Sequence, residues 1–391
     1  MIVRRENARV ESMSIYTTVI RPLLFRLDAE TAHHMTVEGC RVFGAIPGVA
    51  ALTQRLLKID DPVLRIEVAG LRFHNPIGLA AGWDKSGRAL RMLDSLGFGF
   101  TEIGSVSARS SLGNPKPRLF RLPRDRALIV NYGLPNEGAE VVSARLAAHG
   151  PQLPLGVNIV KTNDGQGSPP CSTDEILADY QRSVSLMHRH AGYLMLNLSC
   201  PNVAAEGDFF SQPGNIRLLL ERLQPLGVRC PVFLKVAPHD EAALHQQLLE
   251  QCEDFAFVRG FCFNLPPGKP DSLNLDTPRE SLADRPGAVA GRPVTALINR
   301  CISGLYARMD RQRYVIIGAG GVFTAQDAYE KIRLGASLVQ LYTAMIYEGP
   351  GVTKRICQGL SKLLRQDGFR SVAEAVGSGH TEKKITFSKP A

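Results

Sequence analysis

Between about residue 61 and residue 377, apolar runs of strand length alternate with helical segments, and nothing else in the sequence limits the fold as tightly. The runs cover residues 76 to 81, 99 to 106, 154 to 160, 193 to 198, 231 to 237, 257 to 263, 314 to 318 and 337 to 342. They are largely apolar rather than strictly alternating, the pattern of parallel strands buried on both faces. Eight such strands with intervening helices predict an α/β fold, a (β/α)8 TIM barrel. A doubly wound sheet also fits the alternation. The barrel is preferred because polar residues follow several different strands, and only a closed barrel gathers all their carboxyl ends at one mouth.

Those ends carry Asp84 and Lys85, Ser105, Asn158, Asn197 to Asn202, Lys235, Asn264 and the glycines at 318, 320 and 321. Taken singly, a lysine or asparagine there is a turn residue or a solvated charge; six such ends together point to a site. The sharpest is Asn197-Leu198-Ser199-Cys200-Pro201-Asn202, which sets a thiol between two amides after the apolar run Tyr193-Leu194-Met195-Leu196. A free cysteine there is most simply a small buried hydrophobe. Beside a hydrogen-bonding substrate it becomes a candidate acid or base. Near the end, Gly318-Ala319-Gly320-Gly321 and Tyr342-Thr343 follow the seventh and eighth runs, a common phosphate-binding position in barrels. A glycine-rich turn alone is weak; here it predicts a phosphate-bearing cofactor. The stretches 162 to 174 and 264 to 290 are turn-rich loops, lids or plain surface.

Residues 1 to 60 form a separate unit. Ile15, Val19, Ile20, Leu23, Leu24 and Leu27, then Ala32, Met35, Cys40, Val42 and Phe43, recur at helical spacing and predict two short helices, with Pro22 beginning or bending the first. Apolar stripes usually pack on the body of a protein. The functional alternative is a helical cap whose outer face enters a membrane interface and admits an apolar substrate. No apolar run approaches the roughly 20 residues of a membrane span. The tail from 378 to 391 is expected to be disordered. A formal charge of +9 is spread along the chain, which suits anionic small molecules or lipid headgroups better than a nucleic acid. The eight cysteines contain no Cys-x-x-Cys pair, so a reducing compartment and no zinc or other metal site are expected.

Longer motifs add a resemblance. Asn75 to Lys85 (NPIGLAAGWDK), Glu102-Ile103-Gly104-Ser105-Val106, Gly113 to Leu122 (GNPKPRLFRL), Asn158-Ile159-Val160-Lys161, the Asn197 to Asn202 stretch, Gly291-Arg292-Pro293 and the Gly320-Gly321 turn together resemble the dihydroorotate dehydrogenases. Leu27 to His33 and Asp367 to Gly377 are similar to the quinone-using, membrane-associated class 2 enzymes. The resemblance implies oxidation of dihydroorotate to orotate by FMN in pyrimidine biosynthesis, with quinone as electron acceptor. It implies a monomer peripheral to the cytoplasmic side of a membrane, a bacterial inner membrane, held there by the N-terminal helices.

By the same resemblance, Ala81, Gly82, Ser105, Asn158, Lys235, Gly291, Gly320, Gly321, Tyr342 and Thr343 hold FMN. Lys85, Tyr132, Gly133, Leu134, Asn197, Asn202 and Asn264 face the substrate, Cys200 is the catalytic base, and His33 and Arg118 give access to the quinone. Three positions depart from the class 2 pattern. Cys200 stands where those enzymes carry serine, as in the soluble class 1 enzymes. Val130 replaces a substrate-binding asparagine, with Asn131 one place later and so on the opposite strand face. Leu265 replaces a serine or threonine. The last two keep a second function open, a paralogous FMN oxidoreductase for another cyclic amide or unsaturated anion. A catalytically idle barrel serving as a binding module is a third, against which Lys85, Asn197 and Cys200 stand.

Overall fold

The computed structural model describes residues 14–148, 150, 153–165, 167–199 and 209–380. Eight strands form a closed, all-parallel barrel: β1 (Ile77–Leu79), β2 (Phe100–Val106), β3 (Leu155–Ile159), β4 (Tyr193–Asn197), β5 (Val232–Val236), β6 (Val258–Phe263), β7 (Val315–Gly318) and β8 (Ala336–Leu341). Each falls within the run expected for it or one residue beyond. The doubly wound alternative is excluded by closure, because β1 pairs on one side with β2, Gly78 opposite Phe100, and on the other with β8, Ile77 opposite Val339.

Two glycines let large rings fill the barrel. A Cβ on Gly78 would lie 2.3 Å from the Phe100 ring, and one on Gly156 would lie 2.3 Å from that of Tyr193. Without them the rings would be expelled. Phe73, Phe100, Tyr193 and Phe233 then stack edge to face in sequence, with centroids 5.3 to 6.3 Å apart. Phe73 belongs to an antiparallel hairpin, Ile66–Val68 with Leu71–Phe73, that closes the barrel's amino-terminal end. That hairpin is absent from the sequence reading. Its turn, Ala69-Gly70, has positive φ at both residues, and alanine gives no signal for it.

A second unforeseen element roofs the carboxyl end. Leu119–Leu122, Ala127–Val130 and Ala288–Gly291 make a three-stranded antiparallel sheet, in which Val130 lies opposite both Leu119 and Ala288. The stretch read as a loop from 264 to 290 therefore ends as a strand. Before that strand, the loop is stitched down by Asp125, which accepts from Asp276 and Thr277, and by Arg279, which donates to three carbonyls within the loop.

At the N-terminal side the expected two helices are three. A helical turn over Tyr16–Ile20 continues as Arg21–Leu24, with Pro22 in the first turn of the latter, where its missing N–H is tolerated. α1 (Ala29–Ala45) begins at Asp28, whose carboxylate accepts from the Thr31 amide. It stops at Ile46-Pro47-Gly48, and α2 (Val49–Leu57) leaves at 109° to it. No single helix among the described residues is long and apolar enough to cross a membrane. Beyond α2, Asp61 pairs with Arg365 at 2.7 Å and fixes the connection to the barrel's last long helix.

Candidate active site

The site is built from a carboxylate inside the barrel. Glu102, on β2, accepts from Asn158 Nδ2 at 2.8 Å, Tyr193 Oη at 2.8 Å and Gln340 Nε2 at 2.7 Å, so one buried charge joins β2, β3, β4 and β8. Asn158 passes the order upward, accepting from Ser105 Oγ at 2.5 Å. Asn158 is thus completely buried and stands beneath the cavity rather than in its wall. Above it, Ser105 meets Asn197 Nδ2 at 3.4 Å. Tyr180 fixes the Asn197 backbone by donating to its carbonyl, and Asn264 Nδ2 donates both to Asn197 Oδ1 and to the Ser199 carbonyl.

The cavity over this network is walled by the ends of the strands and by the roof sheet. Ala81, Gly82, Lys85, Ser105, Asn197, Lys235 and Asn264 line one part of it. Tyr132, Gly133, Leu134, Gly291, Gly320, Gly321, Tyr342 and Thr343 line the rest. Cys200 and Asn202 lie outside the described residues, as does the whole stretch 200–208. Residues that the sequence reading missed also face inward, among them Phe263, Val294, Ile298, Phe323 and Gln340. Val294, Ile298 and Phe323 are apolar residues outside the strands, which give no sign of lining a site rather than a core, while Phe263 and Gln340 lie within strands whose other residues are core.

Two of the glycines leave no room for a side chain. At Gly321 (φ 74°) a Cβ would lie 1.8 Å from Thr295 Oγ1, and at Gly291 (φ 101°) it would lie 2.6 Å from the Arg126 carbonyl. The amides of Gly320 and Gly321 have no acceptor among the described residues and are free to meet an anion. The Lys235 ammonium likewise has no hydrogen-bond or ion-pair partner among them, its backbone carbonyl accepting from the Leu198 amide.

Lys85 is the other cation of the cavity. Its Nζ lies 3.2 Å from His33 Nε2 and 4.0 Å from the centre of the Tyr132 ring. No described carboxylate reaches it, because Asp84 accepts from the Arg88 and Ala89 amides and Glu30 pairs with Arg118. Burial lowers Lys85 to about 8, with Glu30 working against the shift and Arg118 adding to it. Burial pushes Tyr132 well up, so its hydroxyl, which has no partner among the described residues, stays protonated.

Val130 and Leu265 present apolar side chains to the same cavity and pack with Tyr132 and Tyr342. Asn131 faces away, accepting from Asn114 Nδ2 at 3.1 Å behind the wall, as the one-residue displacement predicts.

A second cavity lies between the N-terminal helices and the barrel. Phe25, Phe43, Leu57, Trp83 and Met345 make it largely apolar, and His33 and Arg121 are its notable polar residues. Arg118 does not line it. That guanidinium is buried against Glu30, through Nε and Nη2, and donates from Nη1 to the carbonyls of Leu112 and Asn114. Arg121, three residues on along the same segment, borders this chamber instead. Its guanidinium stands 4.7 Å from the centre of the Phe25 ring and donates to the Leu27 carbonyl.

Comparison with known proteins gives the family and supports the fold. The family described as "Dihydroorotate dehydrogenase" matches residues 63–364. A dihydroorotate dehydrogenase (quinone) of Natronomonas pharaonis is 38% identical over 367 residues, covering 93% of this chain and 99% of the relative. The protein of the same name from Rhodospirillum rubrum is 37% identical, covering 94% and 96%. Among solved structures, the dihydroorotate dehydrogenase of Eimeria tenella in complex with ferulenol superposes with a TM-score of 0.78 at 31% identity, covering 92% of this chain and 99% of that one.

Proposed function

The chain belongs to the dihydroorotate dehydrogenase family, and from that premise we propose how its residues do the family's work. The enzyme oxidises dihydroorotate to orotate, a step of pyrimidine biosynthesis, and the electrons leave on a quinone. Its cofactor is a flavin, which we take to be FMN.

The residues present fit that group. Gly320 and Gly321 offer amides unengaged among the described residues, and Thr343 and Gly291 line the same cavity, a Cβ on Gly291 falling 3.1 Å from Thr343 Cγ2. These would hold a phosphate. Lys235, whose ammonium has no partner among the described residues, would meet the electron-rich edge of the isoalloxazine ring, with Ala81, Gly82, Ser105 and Tyr342 around it. Asn158 would act only through Ser105. When bound, FMN supplies the two-electron redox chemistry.

On the substrate side, Lys85 carries the reading. A cation enclosed in a cavity without a carboxylate partner is costly unless a ligand brings the counter-charge. The carboxylate of dihydroorotate does so. Asn197, with Asn264 locking its oxygen, orients the amide edge of the ring, while Tyr132, Gly133 and Leu134 close the far wall. Cys200 Sγ would take the proton from C5 as the hydride leaves C6. Asn264 supports that role indirectly, because its bond to the Ser199 carbonyl anchors the residue just before Cys200. Asn202 would complete the hydrogen bonds to the ring.

Residues 1 to 60 would serve as the quinone-access cap, residues 61 to 377 being the catalytic barrel. Of fourteen exposed large apolar side chains among the described residues, eleven lie between Ile15 and Leu56, and they flank the apolar chamber that holds His33 and Arg121. A patch of that kind suits peripheral attachment to a membrane that delivers the quinone.

The test is spectroscopic. Under anaerobic conditions dihydroorotate should bleach the flavin of the purified protein, and a quinone should restore the colour. Flavin that remains oxidised in folded protein at saturating dihydroorotate would refute the reading. Val130 and Leu265 favour one second possibility, a related cyclic amide that has an apolar edge where dihydroorotate is polar, and the same assay run across such compounds ranks the substrates.

A further inference from the structure

The two cavities share a wall, and one hydrogen bond crosses it. His33 lines the apolar chamber, Lys85 lines the active-site cavity, and His33 Nε2 lies 3.2 Å from Lys85 Nζ. His33 is on α1, part of the N-terminal cap, 52 residues before its partner on the loop after β1. We infer that His33 is a positioning residue for the substrate, holding the Lys85 ammonium toward the carboxylate, so that the cap is part of the substrate site as well as the quinone route.

Lys85 has few other restraints. A lysine side chain retains several rotatable bonds, and the fixed neighbours of this ammonium are the imidazole and the face of Tyr132. An aromatic face confines a cation without fixing its direction. The imidazole nitrogen fixes it. It can act as acceptor because the ring is neutral: burial holds His33 well below its ordinary range, the Lys85 charge and His34 deepen the shift, and the Trp83 backbone acts against it. The ring is itself held edge to face by Trp83, at 5.9 Å between centroids, and tilted against Tyr132 at 6.1 Å. The charged groups around the pair are accounted for. Glu30, His34, Lys116 and Arg118 form one cluster on the α1 side, and Asp84 caps backbone amides behind Lys85.

The geometry makes the two sites reciprocal. Any occupant of the chamber that displaces His33 releases Lys85, and a carboxylate that fixes Lys85 fixes His33 in turn.

This inference rests on the dihydroorotate reading, and orotate binding to the oxidised holoenzyme tests both. His33→Leu keeps the volume and excludes water but removes the acceptor; His33→Gln restores an acceptor oxygen. The Leu variant should bind orotate about tenfold more weakly, the usual effect of losing a hydrogen bond to a charged group. It should also lose affinity at a lower pH than wild type, because the ammonium has lost a group that favoured it, and the Gln variant should recover most of both changes. Flavin content, equal in all three proteins, reports folding. If the Leu variant binds orotate like wild type over the whole pH range and only quinone reduction falls, His33 serves the chamber alone and the inference is wrong. Wild-type protein that binds no orotate would overturn the dihydroorotate reading itself, and this inference with it.

Discussion

Asn264 holds Asn197 by a hydrogen bond of 3.0 Å between their side-chain amides, linking the end of β6 to the end of β4. The same Asn264 nitrogen donates to the Ser199 carbonyl at 2.8 Å, and its oxygen accepts from the Leu265 amide at 2.9 Å. With both ends of its amide engaged, Asn264 is a brace between strands more than a group waiting for a ligand. Replacing it with alanine should therefore misplace two things at once, the Asn197 amide and the start of the stretch that carries Cys200. Flavin should remain bound, since the phosphate-side residues are untouched. The rate of flavin bleaching at saturating dihydroorotate should fall by about a hundredfold, the scale expected when reacting groups move by about 1 Å. Stopped-flow absorbance measures this without a quinone, and a rate within a factor of about three of wild type would reduce Asn264 to a packing residue.

The pH dependence follows from Lys85. Burial is the main cause of its descent to about 8, and its ammonium is the form that meets a carboxylate. Orotate affinity should be level below about pH 8 and fall about tenfold per unit above it, until other groups titrate. Because the unfolded chain keeps its lysines protonated to a pKa of about 10.4, it binds more protons than the folded chain between about pH 8 and pH 10. Lys85 therefore makes the ligand-free protein more stable with rising pH across the window in which it binds ligand less well. Titrations of orotate into the oxidised enzyme, set beside thermal unfolding over the same range, should show the opposite slopes. Lys85→Met should remove both.

Val130 and Leu265 make specificity testable from the opposite direction. Both side chains face the cavity, pack in one apolar cluster, and offer nothing to a pyrimidine amide. The double replacement Val130→Asn and Leu265→Thr introduces hydrogen-bonding groups as neighbours, so that neither is left facing an apolar surface alone. Each satisfied bond should contribute about 1 kcal/mol. Together they should lower the KM for dihydroorotate by about tenfold or more, read from initial rates with an excess of quinone. A higher KM would mean that the apolar wall matches some feature of the true substrate.

The barrel was legible because its strands are buried on both faces, which gives eight largely apolar runs, and because polar residues follow several of them, which favours closure over a doubly wound sheet. Of the expected site residues, the cavity collects those at or just after strand ends, such as Ser105, Asn197 and Lys235, with Lys85 from the loop after β1. Less visible were elements whose form depends on distant partners. Ala288–Gly291 lies in a stretch rich in turn residues and becomes a strand only because Ala127–Val130 is there to pair with it. α2 was hidden for a similar reason: its exposed Leu52 and Leu56 face away from the barrel, and its start is set by Gly48 at φ 82° rather than by a capping side chain. Asn158, expected to hold FMN, stands below Ser105, and that position depends on its bond to Glu102, a residue the motif contains but whose burial no local pattern reveals.

The arginines of the roof sheet give the last contrast. Arg118 and Arg121 lie three apart, and sequence likeness alone points to the first as the quinone contact. In the structure Arg118 is enclosed with Glu30, whose side chain is 4% exposed, while Arg121 borders the apolar chamber. Removing Arg118 leaves that buried carboxylate with only Lys116 and His34, both on the solvent side of the cluster. Arg118→Ala should cost about 3 to 5 kcal/mol of stability, the range for breaking one side of a buried ion pair, and should loosen the docking of α1. Arg121→Ala loses a carbonyl contact and the stacking on Phe25, and it should leave stability within about 1 kcal/mol. Its effect should appear in catalysis, as a KM for quinone raised by about tenfold with the anaerobic bleaching rate unchanged. Chemical denaturation separates the pair on the first axis and steady-state kinetics with varied quinone on the second. If Arg118→Ala raised the quinone KM while the protein remained as stable as wild type, the roles given to the two arginines would have to be exchanged.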